Sequence, residues 1–372
     1  MKLKTNFTAF FLAIAIAFSY VPLESFAAEV KLEDLTVSQA AKRAIANNNS
    51  IKNAVENTTL SDENLRKAYD NLYSAKTNDA ILNAEVTIMN QEMRRSLDIE
   101  NIEAQKENVE YNIMKYFNSI TNAEKNLEIF EDLLKIDKKK LDIAKVKLEL
   151  GKLSQADFET QQANYDKSLK SKQTYQASID KAYRTLNNYM GTKAETRYNL
   201  ILELEYKLSG EINITTHTDK FLKESLSIKE AENSLKTAQY RVDNYSDPYD
   251  PQTGVISESY NAYEQLIISA NQASRSLTDT KTSVKENIIS AYDSLKDSES
   301  SIETKETDIK ALYKEYDILK LKFQMGKATQ LELDDKLYTI HYQEESLRQA
   351  KNSHALTMIS FSSPNLLSGG GN

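Results

Sequence analysis

Residue types that carry out catalysis or bind metals are scarce in this chain of 372 residues. There is no cysteine, which excludes disulfides, thiolate metal sites and a cysteine nucleophile. The three histidines, His217, His341 and His354, are scattered and have no metal-ligand spacing. The sequence also contains no Gly-rich phosphate loop and no nucleophile elbow. These observations argue against an enzyme and predict neither a cofactor nor a metal site.

Carboxylates gather a few residues after two glycines, Gly151 and Gly326. Two of them follow the first glycine and three follow the second: Asp157, Glu159, Glu332, Asp334 and Asp335. Carboxylates gathered in one place would attract cations. A solvated helix face explains the same pattern without any ligand, and both interpretations stay open.

Residues 1–27 have the features of a secretory signal peptide. Lys2 and Lys4 form a basic start, residues 7–18 form an apolar core, and residues 25–27 (Ser-Phe-Ala) fit a signal peptidase site. We expect cleavage after Ala27; a membrane anchor is the alternative, although the apolar run is short for a span. The formal net charge of −8 argues against nucleic acid as a partner.

The elements that position these residues are predicted to be long helices. Eight glycines and four prolines leave few places for sheet turns. One helix is expected over 80–150, ended by Gly151, and another from there to Met190. Residues 198–214 alternate apolar and polar types and predict an extended connector, which we place over 192–218. A second very long helix is expected to end at Gly326, and a further helix follows it.

Heptad spacing predicts that the long helices pair as coiled coils. Leu127, Leu134, Leu141 and Leu148 recur at the heptad interval, and a similar stripe continues beyond Gly151. Because the glycine separates two such stripes, the flanking helices should fold back on each other as an antiparallel pair. Such a hairpin, about 100 Å long, is too thin to bury its outer residues alone and must pack on another hairpin or another subunit.

The two halves of the chain predict an internal repeat. The segment 145–158, which contains Gly151, aligns with 320–333, which contains Gly326. The segment 50–54 aligns with 227–231 at almost the same offset. Matched glycine breaks and matched upstream helices are more than generic coiled-coil similarity explains. We expect repeat 1 over 33–191, the connector over 192–218, repeat 2 over 219–362 and a flexible tail over 363–372.

The chain resembles the TolC family of outer-membrane efflux ducts over about residues 33–360. The opening Leu-Thr-Val-Ser-Gln-Ala-Ala of 35–41, the Ala-Ile-Ala-Asn-Asn of 44–48 and the Leu-Asn-Asn-Tyr-Met-Gly of 186–191 carry the resemblance. So do the two glycine tips, each followed by Ser or Thr at the third place. The resemblance implies an all-α protomer of two tandem coiled-coil hairpins with a short extended connector. It also implies a homotrimer that closes a hollow helical barrel.

The resemblance further implies that the glycine turns dock a partner. In the family, a periplasmic adaptor of the membrane-fusion-protein type docks at these tips and joins the duct to an inner-membrane pump. Carried over to this sequence, the docking positions are Leu150, Gly151, Lys152, Leu153, Ser154, Met325, Gly326, Lys327, Ala328 and Thr329. A tight turn needs glycine, and small groups allow another helix tip to approach. The simpler alternative is that both glycines merely end helices.

The sequence departs from the family where the membrane strands would be inserted. A strand pair with its turn needs roughly 20 residues. The first site offers only the short stretch 77–79, and the second offers a longer one that includes Pro248 and Pro251. We therefore expect no membrane β-strands, and hence no β-barrel. The chain is expected in the cell envelope, either at the outer membrane and periplasm or in the wall zone of a single-membrane bacterium.

Two functions from different classes remain after these observations. The first is an efflux duct subunit that works with an adaptor and a pump, favoured by the duplication and the glycine tips. The second is a structural or interaction coiled coil of the envelope without a pore, favoured by the missing strands.

Overall fold

The fold is a bundle of long helices, seen in a computed structural model that describes residues 32–210, 212–245 and 259–368. The expected signal peptide, 1–27, lies outside these residues. Two strands are present in the described part of the chain, β1 (Glu33–Thr36) and β2 (Tyr198–Ile201). The helices are α1 (Val37–Asn47), α2 (Asn49–Ser74), α3 (Asn78–Glu149), α4 (Gln155–Met190), α5 (Ile214–Glu224), α6 (Leu226–Asp243), α7 (Ser259–Gln324), α8 (Gln330–Ser362) and α9 (Pro364–Ser368).

The helices form two equivalent sets of four, α1–α4 and α5–α8. In each set, a short helix and a medium helix lead into the two arms of a long hairpin. The longest helix, α3, has 72 residues and is therefore about 110 Å long. The predicted all-α hairpin fold is confirmed.

The start of the second set corrects the expected connector. α5 begins at Ile214, so the prediction of an extended chain is wrong over 214–218. Asn213 caps α5 by accepting a hydrogen bond from the Thr216 N–H. α5 has the same length as α1, 11 residues, and leads into the next helix in the same way. The second set therefore starts at Ile214 rather than at 219.

Each set has its own hydrophobic core, built from equivalent positions. Ile113 and Leu186 belong to the core of the first set and are fully buried. Their counterparts in the repeat, Ile288 and Phe361, belong to the core of the second set and are also fully buried. The two cores therefore reflect one packing plan used twice.

A two-stranded sheet joins the start of the first set to the connector. β1 and β2 are parallel and pair Glu33 with Tyr198 and Thr36 with Ile201. Leu35 and Tyr198 turn into the first core, where 0 % and 3 % of their surfaces remain exposed. The alternation of 198–214 indicated an extended segment, which includes β2. β1 was not predicted, because so short a strand carries too little pattern.

The end of the chain is more ordered than expected. The predicted flexible tail begins at 363, but α9 spans Pro364–Ser368 and Leu366 is buried. The Asn365 amide also donates to the Glu107 carboxylate of α3 at 3.0 Å. The prediction is therefore wrong for 363–368, since apolar contact with the bundle holds this segment; residues 369–372 lie outside the described part.

The two expected strand-insertion sites are the connections between α2 and α3 and between α6 and α7. α2 ends at Ser74 and α3 begins at Asn78, so only three residues connect them. The second site falls on 246–258, outside the described residues. Within the described ranges, no helix is both long enough and apolar enough to cross a membrane.

The two sets pack together along α3, through a largely polar seam. Arg348 of α8 donates to the Asn122 side-chain oxygen at 2.8 Å, and the Asn352 amide donates to Asn118 at 3.1 Å. Glu345, which is 7 % exposed, accepts hydrogen bonds from Arg348 and Gln349 and so is satisfied despite burial.

Candidate docking site at the hairpin tips

The turn between α3 and α4 is a Schellman motif around Gly151. The Gly151 N–H donates to the Leu148 carbonyl at 2.9 Å, and the Lys152 N–H donates to the Lys147 carbonyl at 2.8 Å. Gly151 has φ +64°, a left-handed conformation that glycine adopts without strain. Ser154 then caps α4 by accepting a hydrogen bond from the Asp157 N–H.

The turn between α7 and α8 repeats this geometry around Gly326. The Gly326 N–H donates to the Phe323 carbonyl at 2.9 Å, and the Lys327 N–H donates to the Lys322 carbonyl at 2.8 Å. The φ of Gly326 is +69°. Thr329 caps α8 in a capping box with Glu332. The same turn therefore ends both hairpins.

Both turns are open to their surroundings. A Cβ atom built on either glycine would meet nothing within 4 Å. Leu150 and Met325, the residues before the glycines, have 63 % and 61 % of their surfaces exposed. Of the ten predicted docking positions, eight are exposed, and the other two, Leu153 and Ala328, are half-buried.

The two turns lie at the same end of the molecule. Lys139 of α3 forms an ion pair of 2.6 Å with Asp334 of α8, and Lys140 pairs with Asp335 at 2.9 Å. These contacts lie within about three helical turns of the glycines, so they bring the ten sequence-predicted positions into two adjacent tips.

The carboxylates near the tips make local contacts. Asp157 accepts from the Ser154 hydroxyl, Glu159 accepts from Gln155, and Glu332 accepts from the Thr329 backbone. That last hydrogen bond lowers the pKa of Glu332, and the Lys139 ammonium lowers the pKa of Asp334. Asp334 and Asp335 therefore join the two hairpins, while the proposed attraction of cations by the other carboxylates stays a prediction.

Exposed apolar side chains beside the tips were missed in the sequence. Ile143 and Val146 on α3 are 43 % and 53 % exposed, and their counterparts on α7, Ile318 and Leu321, are 55 % and 58 % exposed. With Leu150 and Met325 they follow an i, i+3, i+7 spacing, which places each set on one helix face. This spacing was readable, but it resembles that of the buried heptad positions.

Two of the scattered histidines have structural contacts. His354 is 1 % exposed, and its imidazole lies 2.9 Å from the Ser298 hydroxyl and 3.0 Å from the Lys207 carbonyl. His217 stacks on Phe361, and its burial lowers its pKa. In the residues that the structure describes, no group of three or more acidic or imidazole side chains is placed to hold a metal ion.

Comparison with known proteins finds likeness in structure rather than in sequence. No protein-family model matches the chain, and no curated protein matches it. One similar solved structure is that of CusC, a protein that forms a transmembrane channel. Its TM-score is 0.66 at 13 % identity, and the match covers 90 % of this chain and 92 % of that chain. The outer-membrane channel OprN is similar at TM-score 0.67 and 10 % identity, covering 90 % of each chain.

A third similar structure is the CmeC outer-membrane channel of Campylobacter jejuni. Its TM-score is 0.64 at 12 % identity, with 90 % of this chain and 86 % of that chain covered. At such identities the likeness concerns the fold. The chain therefore has the fold of the TolC family of outer-membrane efflux channels, as its opening motif and its duplicated glycine tips predicted.

Proposed function

We propose that this protein is the duct subunit of an efflux or export system in the cell envelope. Copies of the chain assemble, as a homotrimer, into a helical tunnel whose narrow end is formed by the hairpin tips. The duct carries its cargo passively, and an inner-membrane pump supplies the energy through an adaptor.

The observation that carries this proposal is the pair of matching, exposed tips at one end of the molecule. Two turns with the same hydrogen bonds, the same glycine conformation and an exposed apolar residue before the glycine present one surface twice. A partner that recognises one tip can recognise the other. A helical-hairpin adaptor of the membrane-fusion-protein type fits such a surface, because its own tip can approach where no Cβ intrudes.

Site-specific cross-linking in the native cell tests the docking. The chain has no cysteine, so Lys152→Cys and Lys327→Cys each introduce a single reactive thiol at a tip. Tyr73→Cys is the matched control. Tyr73 is 96 % exposed and lies at the end of α2, far from the tips and close to the start of α3. After attachment of a photo-cross-linker, we expect an adaptor-class protein in adducts from both tips but not from position 73. Adducts that are the same from all three positions, or no adaptor at the tips, would contradict the docking.

A structural coiled coil of the envelope is the alternative function, favoured by the short connection between α2 and α3. Electron microscopy of the purified mature protein separates the two. A closed ring with a hollow centre supports the duct, whereas a monomer or a solid bundle supports the structural alternative.

A further inference from the structure

Glu159 and Asp334 occupy equivalent positions near the start of α4 and α8, but only one of them has a cation. Each carboxylate accepts a hydrogen bond of 2.8 Å from a glutamine one helical turn earlier, Gln155 or Gln330. Asp334 also pairs with Lys139 of α3 at 2.6 Å. Glu159 is exposed and has no ion pair within the residues that the structure describes.

A lysine that lacks an ion pair among the described residues lies at the matching position of the other repeat. Lys314 on α7 is the repeat equivalent of Lys139, is exposed, and likewise has no ion pair in the described part of the molecule. It cannot reach Glu159 of its own chain, because α7 packs on α8, α8 on α3 and α3 on α4. Lys314 and Glu159 therefore lie on the two outer helices, facing opposite flanks of the molecule.

We propose that a second copy of this chain completes the pair, with Lys314 of one copy contacting Glu159 of the next. In this interface, α7 of one copy packs on α4 of its neighbour as α3 packs on α8 within the chain. The contact joins two different surfaces, so it is heterologous, and successive copies can close into a ring. The inference rests on the assembly of copies in the proposed function, and it adds which faces meet and in which register.

The opposite end of the molecule offers a second contact in the same register. Within the chain, α6 packs on α3: Met93 lines a groove with Asn233, and Thr237, one helical turn further along α6, is 8 % exposed. The equivalent residues on the uncovered helices are Leu60 of α2 and Ile268 of α7, and both are apolar with about half of their surface exposed (52 % and 53 %). Packing α7 of one copy on α2 of the next would cover both side chains.

The two contacts define a long interface. Inside the chain, the corresponding contacts of α3 are those at Met93 and at Lys139. These two residues are about 70 Å apart along the helix. The second ion pair of the internal seam is not repeated, since Glu315 is already paired with Lys336 and the counterpart of Asp335 is Thr160. The interface between copies therefore relies on one ion pair and more apolar contact.

Cross-linking of single-cysteine copies tests the register. Lys314→Cys copies are mixed with Glu159→Cys copies of the mature protein and treated with a short bismaleimide, because a Lys–Glu contact is too wide for a disulfide. We expect a dimer from the mixture, little product from either variant alone, and a ladder of oligomers from the double variant. Lys139→Cys with Asp334→Cys is the internal positive control. Lys314→Cys with Asp166→Cys, one heptad away, is the off-register control.

Each outcome has a distinct meaning. A dimer of Lys314→Cys copies alone, or equal yield with Asp166→Cys, overturns the register, although copies would still assemble. A protein that light scattering shows to be monomeric overturns both the interface and the proposed duct. A ring in electron microscopy without the expected cross-link overturns the interface and leaves the duct standing.

Charge reversal gives a second, independent measurement. Lys314→Glu should weaken association of copies by about two- to fivefold per contact, the range for an exposed ion pair. Glu159→Lys in the same chain should restore association, because the reversed pair can form again. Failure of this rescue, with the helical content unchanged, would contradict the contact.

Discussion

At Gly151 and Gly326 the left-handed backbone, rather than crowding, requires glycine. A side chain would have open space at both positions, yet φ is +64° at the first and +69° at the second. Gly191, at the end of α4, combines a similar φ of +70° with crowding, since a Cβ there would lie 2.6 Å from the Asn47 side chain. The three glycines therefore differ in what a substitution would cost.

Gly191→Ala should destabilise the protein more than Gly151→Ala. Gly151→Ala costs only the strain of an alanine in left-handed backbone, about 1–2 kcal/mol. Gly191→Ala has the same strain and must also displace the Asn47 side chain, whose amide donates to the Asn188 carbonyl. Urea unfolding of both variants measures the difference. Gly210→Ala, with φ +62° and open space, is the control and should match Gly151→Ala. Equal losses at 151 and 191 would mean that Asn47 moves aside freely.

The ion pair between Lys139 and Asp334 should make stability depend on pH. Lys139 lowers the pKa of Asp334 in the folded state, so the stabilisation is present above the unfolded pKa of about 3.9 and is lost as pH falls through the lower folded value. Asp334→Asn should therefore cost about 0.2–1 kcal/mol at pH 7, since Lys139 is largely exposed, and close to nothing near pH 2.

Urea unfolding at the two pH values measures the effect of Asp334→Asn. In a Lys139→Met background, the pH-dependent part of this cost should shrink to the part that comes from the Gln330 hydrogen bond, which also lowers the pKa of Asp334. A pH dependence that is equally large with and without Lys139 would show that Gln330, rather than the lysine, lowers the pKa of Asp334 and stabilises the tip.

At the scale of elements, the same four-helix plan is built twice from different side chains. Leu186 in the first core corresponds to Phe361 in the second, and Ala44 corresponds to Phe221. Heptads and glycine breaks predicted the long arms, because burial of one helix face imposes a regular period. The period says little about short elements, and α5, α9 and β1 were accordingly missed or misplaced.

Ile113→Ala and Ile288→Ala should destabilise the protein by similar amounts. Each isoleucine is fully buried at the same place in its core, so each substitution should cost about 2–5 kcal/mol. Ile289→Ala, at an adjacent residue that is 49 % exposed, should stay within about 0.5 kcal/mol. Thermal and urea unfolding measure all three. A large cost at one core and none at the other would show that the sets unfold separately.

At the scale of the whole molecule, a polar seam holds the two sets side by side. Arg348 donates to Glu345 through Nε and to Asn122 of the other set through Nη2, at 2.7 and 2.8 Å. Buried polar contacts require the correct partner at each position, so they set the alignment of α8 on α3. That alignment brings the two tips to one level.

Arg348→Ala should loosen this seam. Glu345 would stay buried with Gln349 as its remaining partner, at a cost of about 1.5–3 kcal/mol. Faster amide hydrogen exchange in the middle of α8, with α4 unchanged, would show that the effect is local to the seam. Arg66→Ala, which removes an exposed pair with Asp70, is the control and should have little effect. Unchanged exchange in α8 would mean that apolar contacts alone align the two sets.

The sequence by itself determined the helical class, the duplication and the two glycine turns, because these depend on residues close together in the chain. Heptad spacing, helix caps and left-handed glycines act within one or two helical turns. Tertiary structure alone decided which faces meet: that Asp334 and Asp335 bind the other hairpin, that Leu366 is buried, and that Glu159 and Lys314 face outward. Contacts between residues so far apart in the chain depend on how whole helices align, and no local pattern encodes that alignment.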